Sequence, residues 1–396
     1  MNTVKFNDLV RGHYGRRVAR VNVDHIDESN ILKVLAKTIG VFNSNKPVVK
    51  YLWEYYKGDQ PVLYRQKVVR DDVNNPVVLN HAWEIVRYKN GQTYGEPVQL
   101  VSMTDEKKIT DAVDEFNKYL QKAGKHVQDI TSGAWTSAVG TGYKCARLVH
   151  KDDIPARINV PTPMNCYIVY NESTDEPLMS VQELFDIDDK RYFQCFTPTH
   201  EFRIQDSKLL SFGVNKETGV EMFSRLHVFG GIPIVEYPNN SERISDIELV
   251  ISVLDAINDL EANRCDAVGQ FVASWIKFVN CEVDPETFNK MKMMGALVVK
   301  SNNGSDNKAD VDVISQELKQ GETQVLKDDL WGDVERIVSI PSKQGNTGGD
   351  TAGAVELRNG HDSAKAAARL KDPYIVAGEE RLMKVILNLL HVEKGR

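Results

Sequence analysis

The stretch GIPIVEYPNNSERISDIELVISVLDAINDLEANRCDAVGQFVASWIKFVNC, Gly231 to Cys281, decides how the chain is read, because its apolar period changes partway along. Ile234, Val235 and Tyr237 are strand formers, and Pro238, Asn239 and Asn240 break that run. Ser245 with Glu248 three positions later is a capping-box start. The spacing then predicts one uninterrupted helix of about 35 residues to about Asn280, roughly 50 Å long at ~1.5 Å per residue. Ile247, Val250, Ile251, Leu254, Ile257, Val268, Phe271, Val272, Trp275 and Val279 recur at a helical period, with a polar gap around Glu261 and Arg264. Taken alone, that stripe fits a core helix of any large α+β protein.

At 396 residues, 41% hydrophobic and 27% charged, the chain has ordinary globular composition and enough length for two or more packed units. No apolar run approaches the ~20 residues of a membrane span. MNTVKFNDLVRGHYGRR lacks the apolar stretch of a signal peptide, so the expected location of synthesis and folding is the cytoplasm, without a membrane partner. Cys145, Cys166, Cys195, Cys265 and Cys281 form no C-x-x-C pair and read as reduced, mostly buried thiols. A net charge of −7 and a pI near 5.8 argue against a tight grip on nucleic acid, because phosphate binding needs a cationic surface. They are compatible with a protein past which DNA slides.

Along the chain, Lys5, Arg11, Arg16, Arg17 and Arg20 outweigh Asp8, which reads as a solvated basic arm. Two helices are expected between Glu28 and Gly58, the second through Val48, Tyr51, Leu52 and Tyr55 and closed by Gly58. Residues 105–140 read as an amphipathic helix pair with Ile109, Val113, Phe116 and Leu120 on one face, followed by a strand from Tyr143 to Val149. From Ile154 to Tyr237 the segments CYIVY, LMSVQELFDI, RYFQCF, EFRIQ and EMFSRLHVF, separated by TPTH, QDSK and NKETG turns, read as a β meander. ALVVKS and ADVDVIS flank NNGSDNK as a β-hairpin. A second amphipathic helix is expected from about Gln316 to Val338, then a loop, then a last helix from Asp350 to about Val392 kinked at Pro373.

Patterns that carry chemistry are incomplete. QGNTGGDTAG lacks the lysine of a phosphate loop. DIDDKRYFQCFT, from Asp186, has the first carboxylates of a calcium loop but neither its glycine nor its closing glutamate, and reads as a solvated turn. H-E-x-x-H and G-x-S-x-G are absent and the nine histidines are isolated, so no catalytic, cofactor or metal residue is assigned and an enzyme is not expected. Acids distant in sequence can still meet in space, which leaves a metal-dependent nucleic-acid enzyme as an alternative.

The entry PIVEYPNN, the acidic helix start, the I-x-x-L-D-A-I-N run at Ile251 to Asn258 and the aromatic segment after it together resemble the portal proteins of tailed bacteriophages, of the siphophage type. LWEYYKGDQPVLYR, NHAWEIVRY and YGEPVQL follow in the order of that family's N-terminal segments, so the resemblance covers roughly residues 45 to 392. It implies an α+β portal fold: an N-terminal arm (1–45), a helical (46–153) and a β-rich (154–240) part of a wing, and a first stem helix (241–280). A clip (281–315), a second stem helix (316–340), a tunnel loop (341–350) and a long kinked C-terminal helix (351–396) complete it. Members of the family often continue into a helical crown, so this chain, ending at Arg396, is expected to lack the crown or to have been shortened.

The resemblance further implies a homo-oligomeric ring, typically of twelve subunits, assembled in the host cytoplasm and placed at one capsid vertex of the virion. Double-stranded DNA passes through its channel, and terminase, major capsid or scaffolding protein and head–tail connector are its partners; another head–tail structural ring is the alternative. Ser342, Lys343, Gln344, Gly345, Asn346, Thr347, Gly348 and Gly349 would be the DNA-channel loop, and Ala296, Leu297, Val298 and Val299 a strand of the clip. Asp255, Asp259, Glu261, Asp266, Asp328, Asp329, Asp333 and Glu335 would be an acidic stem wall that keeps the duplex from sticking.

Overall fold

The computed structural model describes residues 6–10, 12–67, 73–149, 154–215, 217–272, 275–279, 286, 310–314, 320–342 and 360–394. The chain divides into two compact units: Met1–Pro61, Asn80–Leu254 and Trp331–Arg396 form the first, Val62–Leu79 and Asp255–Leu330 the second.

The first unit begins with α1 (Phe6–Val10), β1 (Ala19–Val21) and α2 (Ile31–Lys57). The expected solvated arm is corrected in part, since Arg17 and Arg20 are exposed as expected. Phe6 and Val10 are buried, and buried Arg16 pairs with Glu248 at 2.6 Å, because apolar anchors on either side of the cations draw the segment into the core. Two expected helices are one: Pro47 lies inside α2, which also runs through the arm boundary expected at residue 45. Burial of Val34, Leu35, Phe42, Val49 and Leu52 along it outweighs the missing backbone donor. Gly58, at φ 101°, closes the helix in the left-handed conformation that glycine tolerates.

Next come α3 (His81–Tyr94), α4 (Lys107–Lys122) and α5 (Lys125–Val139). The Asn80 side chain accepts the Trp83 N–H at 3.1 Å and caps α3. Strands β2 (Thr141–Leu148), β3 (Ala156–Asn159), β4 (Cys166–Asn171), β5 (Pro177–Phe185), β6 (Arg191–Phe196), β7 (His200–Gln205), β8 (Lys208–Leu209), β9 (Ser224–Leu226) and β10 (Ile234–Pro238) follow. A seven-stranded sheet runs β1-β4-β5-β6-β7-β8, with β9 also on β7; β1 lies parallel to β4 and the meander is antiparallel. A three-stranded sheet orders β10-β2-β3.

The long helix, α6, spans Ile251–Val272. Its capping box is present just ahead of it: Glu248 accepts the Ser245 N–H at 3.0 Å and the Ser245 hydroxyl accepts the Ile247 N–H at 3.1 Å. The expected continuation to residue 280 is corrected, because Trp275–Val279 is a strand, β11, paired antiparallel with β12 (Asp310–Ile314). Trp, Ile, Phe and Val favour a pleated surface once a partner strand is supplied, and that long-range pairing overrides the helical period. The partner expected for ADVDVIS, Ala296 to Val299, lies outside the described residues.

After β12 come α7 (Gln320–Val338), α8 (His361–Arg369) and α9 (Asp372–Lys394). The expected kinked helix is two helices. Pro373 sits in the first turn of α9, where its missing N–H has no intrahelical partner to lose, so it starts a helix.

A fully buried ionic cluster fixes α9 to the three-stranded sheet. Lys125 pairs with Asp129 at 2.6 Å and with Glu379 at 3.0 Å; Lys144 pairs with Glu379 at 2.7 Å and also with Asp129. Each charge has an opposite partner on two sides, and the Lys144 ammonium lies 4.2 Å from the Tyr237 ring centroid. Gly378 lets the helix approach, since a Cβ there would stand 2.6 Å from that ring. Of the cysteines, Cys145, Cys166 and Cys195 are buried and Cys265 is exposed; burial pushes the Cys145 thiol up to about 11.

Candidate functional site

The acids of the expected wall do not share one environment. In the second unit, Asp259, Asp328 and Asp329 face solvent and Asp255 is half-buried. Asp328 accepts from the Gln324 amide at 2.7 Å. Glu261 accepts from Lys327 at 2.7 Å and from Arg264 at 2.8 Å, which links α6 to α7. The Lys327 hydrogen bond, ahead of the charges around it, lowers the Glu261 pKa.

Asp266 is only 2% exposed and is corrected from wall to clamp. It forms ion pairs with Arg65 and Lys67 and accepts the Asn75 N–H at 2.8 Å and the Asn75 amide at 3.0 Å. Burial pushes its pKa up, and the bonds from Lys67 and Asn75 with the Arg65 charge outweigh that, so it stays ionised. Leu79 N–H donates to buried Asn258 at 2.8 Å, a second tie between the 62–79 segment and α6. Periodicity along α6 could not reveal either tie, since the partners lie about 190 positions away in sequence.

In the first unit, Asp333 is exposed and accepts from Arg336 at 2.5 Å. Glu335 is buried and accepts the Trp331 indole N–H at 3.0 Å, so it too is an internal acceptor instead of a wall charge. Trp331 stacks on His81 at 4.1 Å between ring centroids. Ser342 is half-buried, whereas the rest of the expected channel loop, Lys343 to Gly349, and the clip residues Ala296 to Val299 lie outside the described residues.

Apolar side chains also stand exposed in the second unit: Val268 is 49%, Val325 62% and Leu326 48% exposed. Val268 belongs to the apolar stripe read along the first long helix. Exposed acids and exposed aliphatics therefore coexist on α6 and α7. Among the described residues, no group of histidines, cysteines and carboxylates is arranged to hold a metal ion, and no helix is long and apolar enough to cross a membrane.

Comparison with known proteins places this arrangement. A family model described as phage portal protein, SPP1 Gp6-like, matches residues 36–396. No curated protein matches the chain. Among solved structures, a chain from the "Neck of empty GTA particle computed with C6 symmetry" is similar at 11% identity and a TM-score of 0.41, over 70% of this chain and 72% of that one. A chain from the "Virion of native gene transfer agent (GTA) particle" is similar at 12% identity and a TM-score of 0.40, over 83% of this chain and 82% of that one.

Proposed function

The chain belongs to the SPP1 Gp6-like family of phage portal proteins, and from that premise we propose that its copies close into a ring at one capsid vertex whose channel passes double-stranded DNA. The family match over residues 36–396 carries this reading. The first unit would be the wing, α6 and α7 the stem, and the region around β11 and β12 the clip. Heterologous contacts generate a closed ring when the rotation between neighbours closes. The exposed Val268, Val325 and Leu326 give the stem apolar surface for a neighbouring stem to cover.

Asp259, Asp328 and Asp329 supply the charge that such a channel needs. Carboxylates repel phosphates, so a duplex moves past them without the counterion-release affinity that a basic wall would give. Asp266 and Glu335 take a supporting role, holding segments of the protomer together. The loop Ser342 to Gly349 would meet DNA at the narrowest point, and the strand Ala296 to Val299 would lie in the clip that faces terminase. A twelve-subunit ring, the capsid or scaffolding protein and a head–tail connector complete the assembly in the virion, and the work of packaging falls to a separate ATP-hydrolysing terminase.

Electron microscopy of the purified full chain tests the reading. Rings with a central channel wide enough for a duplex are expected. Particles that remain single protomers, or rings without a channel, overturn it.

A further inference from the structure

The turn between β5 and β6 holds apolar side chains out in water. Phe185 is 61% and Ile187 100% exposed. The turn is built to do so: the Asp186 carboxylate accepts the N–H of Asp188 at 2.9 Å and of Lys190 at 2.8 Å, and the Asp186 N–H donates to the Lys190 carbonyl at 3.0 Å. Asp189 completes it at φ 58°. Ile187 is thereby fixed at the apex, with the exposed carboxylates of Asp188 and Asp189 beside it.

Beyond the opposite end of β5 lies a cleft of about 200 Å³, lined by Ile168, Pro177, Ile232 and Val385, with Arg381 and Lys384 of α9 at its rim. Glu176 also lines it, and Glu236 below is already engaged by Tyr170 at 2.6 Å and by Arg243 at 3.2 Å. An apolar cavity of ~150 Å³ holds a benzene molecule, so this cleft has room for one phenylalanine or isoleucine side chain.

We propose that the Phe185–Ile187 tip of one copy seats in this cleft of the next copy around the ring. The inference rests on the ring reading and specifies one of its contacts. A head-to-tail ring needs two different, complementary patches on one protomer. Here a knob and a hole stand at the two ends of a single nine-residue strand, roughly 27 Å apart at ~3.4 Å per residue. Their rims carry opposite charge: Asp188 and Asp189 stand beside the knob, with Lys190 following them, and Arg381 and Lys384 stand around the hole opposite Glu176. The preformed turn limits the ordering cost of docking.

Photocross-linking tests it in the full chain, with p-benzoylphenylalanine at position 187; full exposure of Ile187 leaves the fold undisturbed by the larger group. The assembled species is sized before irradiation, and cross-linked peptides are then mapped by mass spectrometry. Cross-links from one copy to residues 168–177, 230–235 or 381–388 of another are expected. If rings form and the cross-links map elsewhere or are absent, this contact falls while the ring reading stands; if no ring forms, both fall. Reversing the knob with Asp188→Lys and Asp189→Lys should lower the assembled fraction by roughly tenfold, and adding Arg381→Glu and Lys384→Glu should restore it. Failure of the reversed rim to restore assembly overturns the match.

Discussion

Among the described residues, the two units of this chain bury surface differently. In the first, four apolar clusters gather side chains from its helices and both of its sheets. Its buried and half-buried charges are matched: Lys125 and Lys144 against Asp129 and Glu379, Arg243 against Glu236, and Lys371 against Asp246 at 2.7 Å. In the second unit, the buried apolar residues among those described are Val62, Ile257 and Ala262. Polar clamps at Asp266 and Glu261 hold its described parts together, and aliphatics remain exposed. On the proposed ring reading, the exposed aliphatics of the second unit are the surface that a neighbouring copy would cover.

That contrast predicts where substitutions hurt most. Lys144→Ala leaves Asp129 and Glu379 buried with half of their compensation gone, and should destabilise the first unit by about 3–5 kcal/mol in denaturant unfolding. A loss below ~1 kcal/mol would mean that the cluster is not what secures α9. Asp266→Ala should cost less, about 1–3 kcal/mol, because Arg65 and Lys67 retain some access to water. Its effect should be local, seen as faster proteolysis within residues 62–79 with unchanged unfolding of the first unit.

Acid should act on the first unit more gently still. Asp246 and Glu236 are pushed up by burial, but Lys371 and Arg243 respectively, with nearby hydrogen bonds, hold both below the usual carboxylate range. Groups whose folded pKa is depressed contribute stability that is present above their unfolded pKa and lost as pH falls through the folded value. Glu248 shifts the other way, since its burial outweighs Arg16, so it cannot produce that loss. Stability of the first unit should therefore hold to about pH 5 and decline below about pH 4, and Asp246→Asn should flatten the decline. Identical acid profiles for parent and variant would remove Asp246 from the account.

Sequence patterning exposed the local structure well where a single element decides it. The strand at Ile234, the capping box at Ser245 and Glu248, the left-handed stop at Gly58 and the meander from Cys166 to Gln205 all follow from nearest-neighbour chemistry. It misled where a distant partner decides. WIKFV fits a helical stripe and a strand equally, and pairing with Asp310–Ile314 selects the strand. The two helices expected between Glu28 and Gly58 are one because core residues on both sides carry α2 through Pro47, and Pro373, expected as a kink, opens α9. The acids of α6 and α7 were legible as residues and not as roles, because Arg65, Lys67 and Trp331 determine which of them face water.

Hydrogen exchange of the full chain, followed from dilute protomer to assembled ring, tests the contrast between the units most directly. The account predicts that amides of the first-unit strands are equally protected in both states, whereas amides of α6 beyond Asp255 and of α7 before Trp331 gain at least about tenfold protection on assembly. Stem helices already as protected in the protomer as in the ring would contradict it.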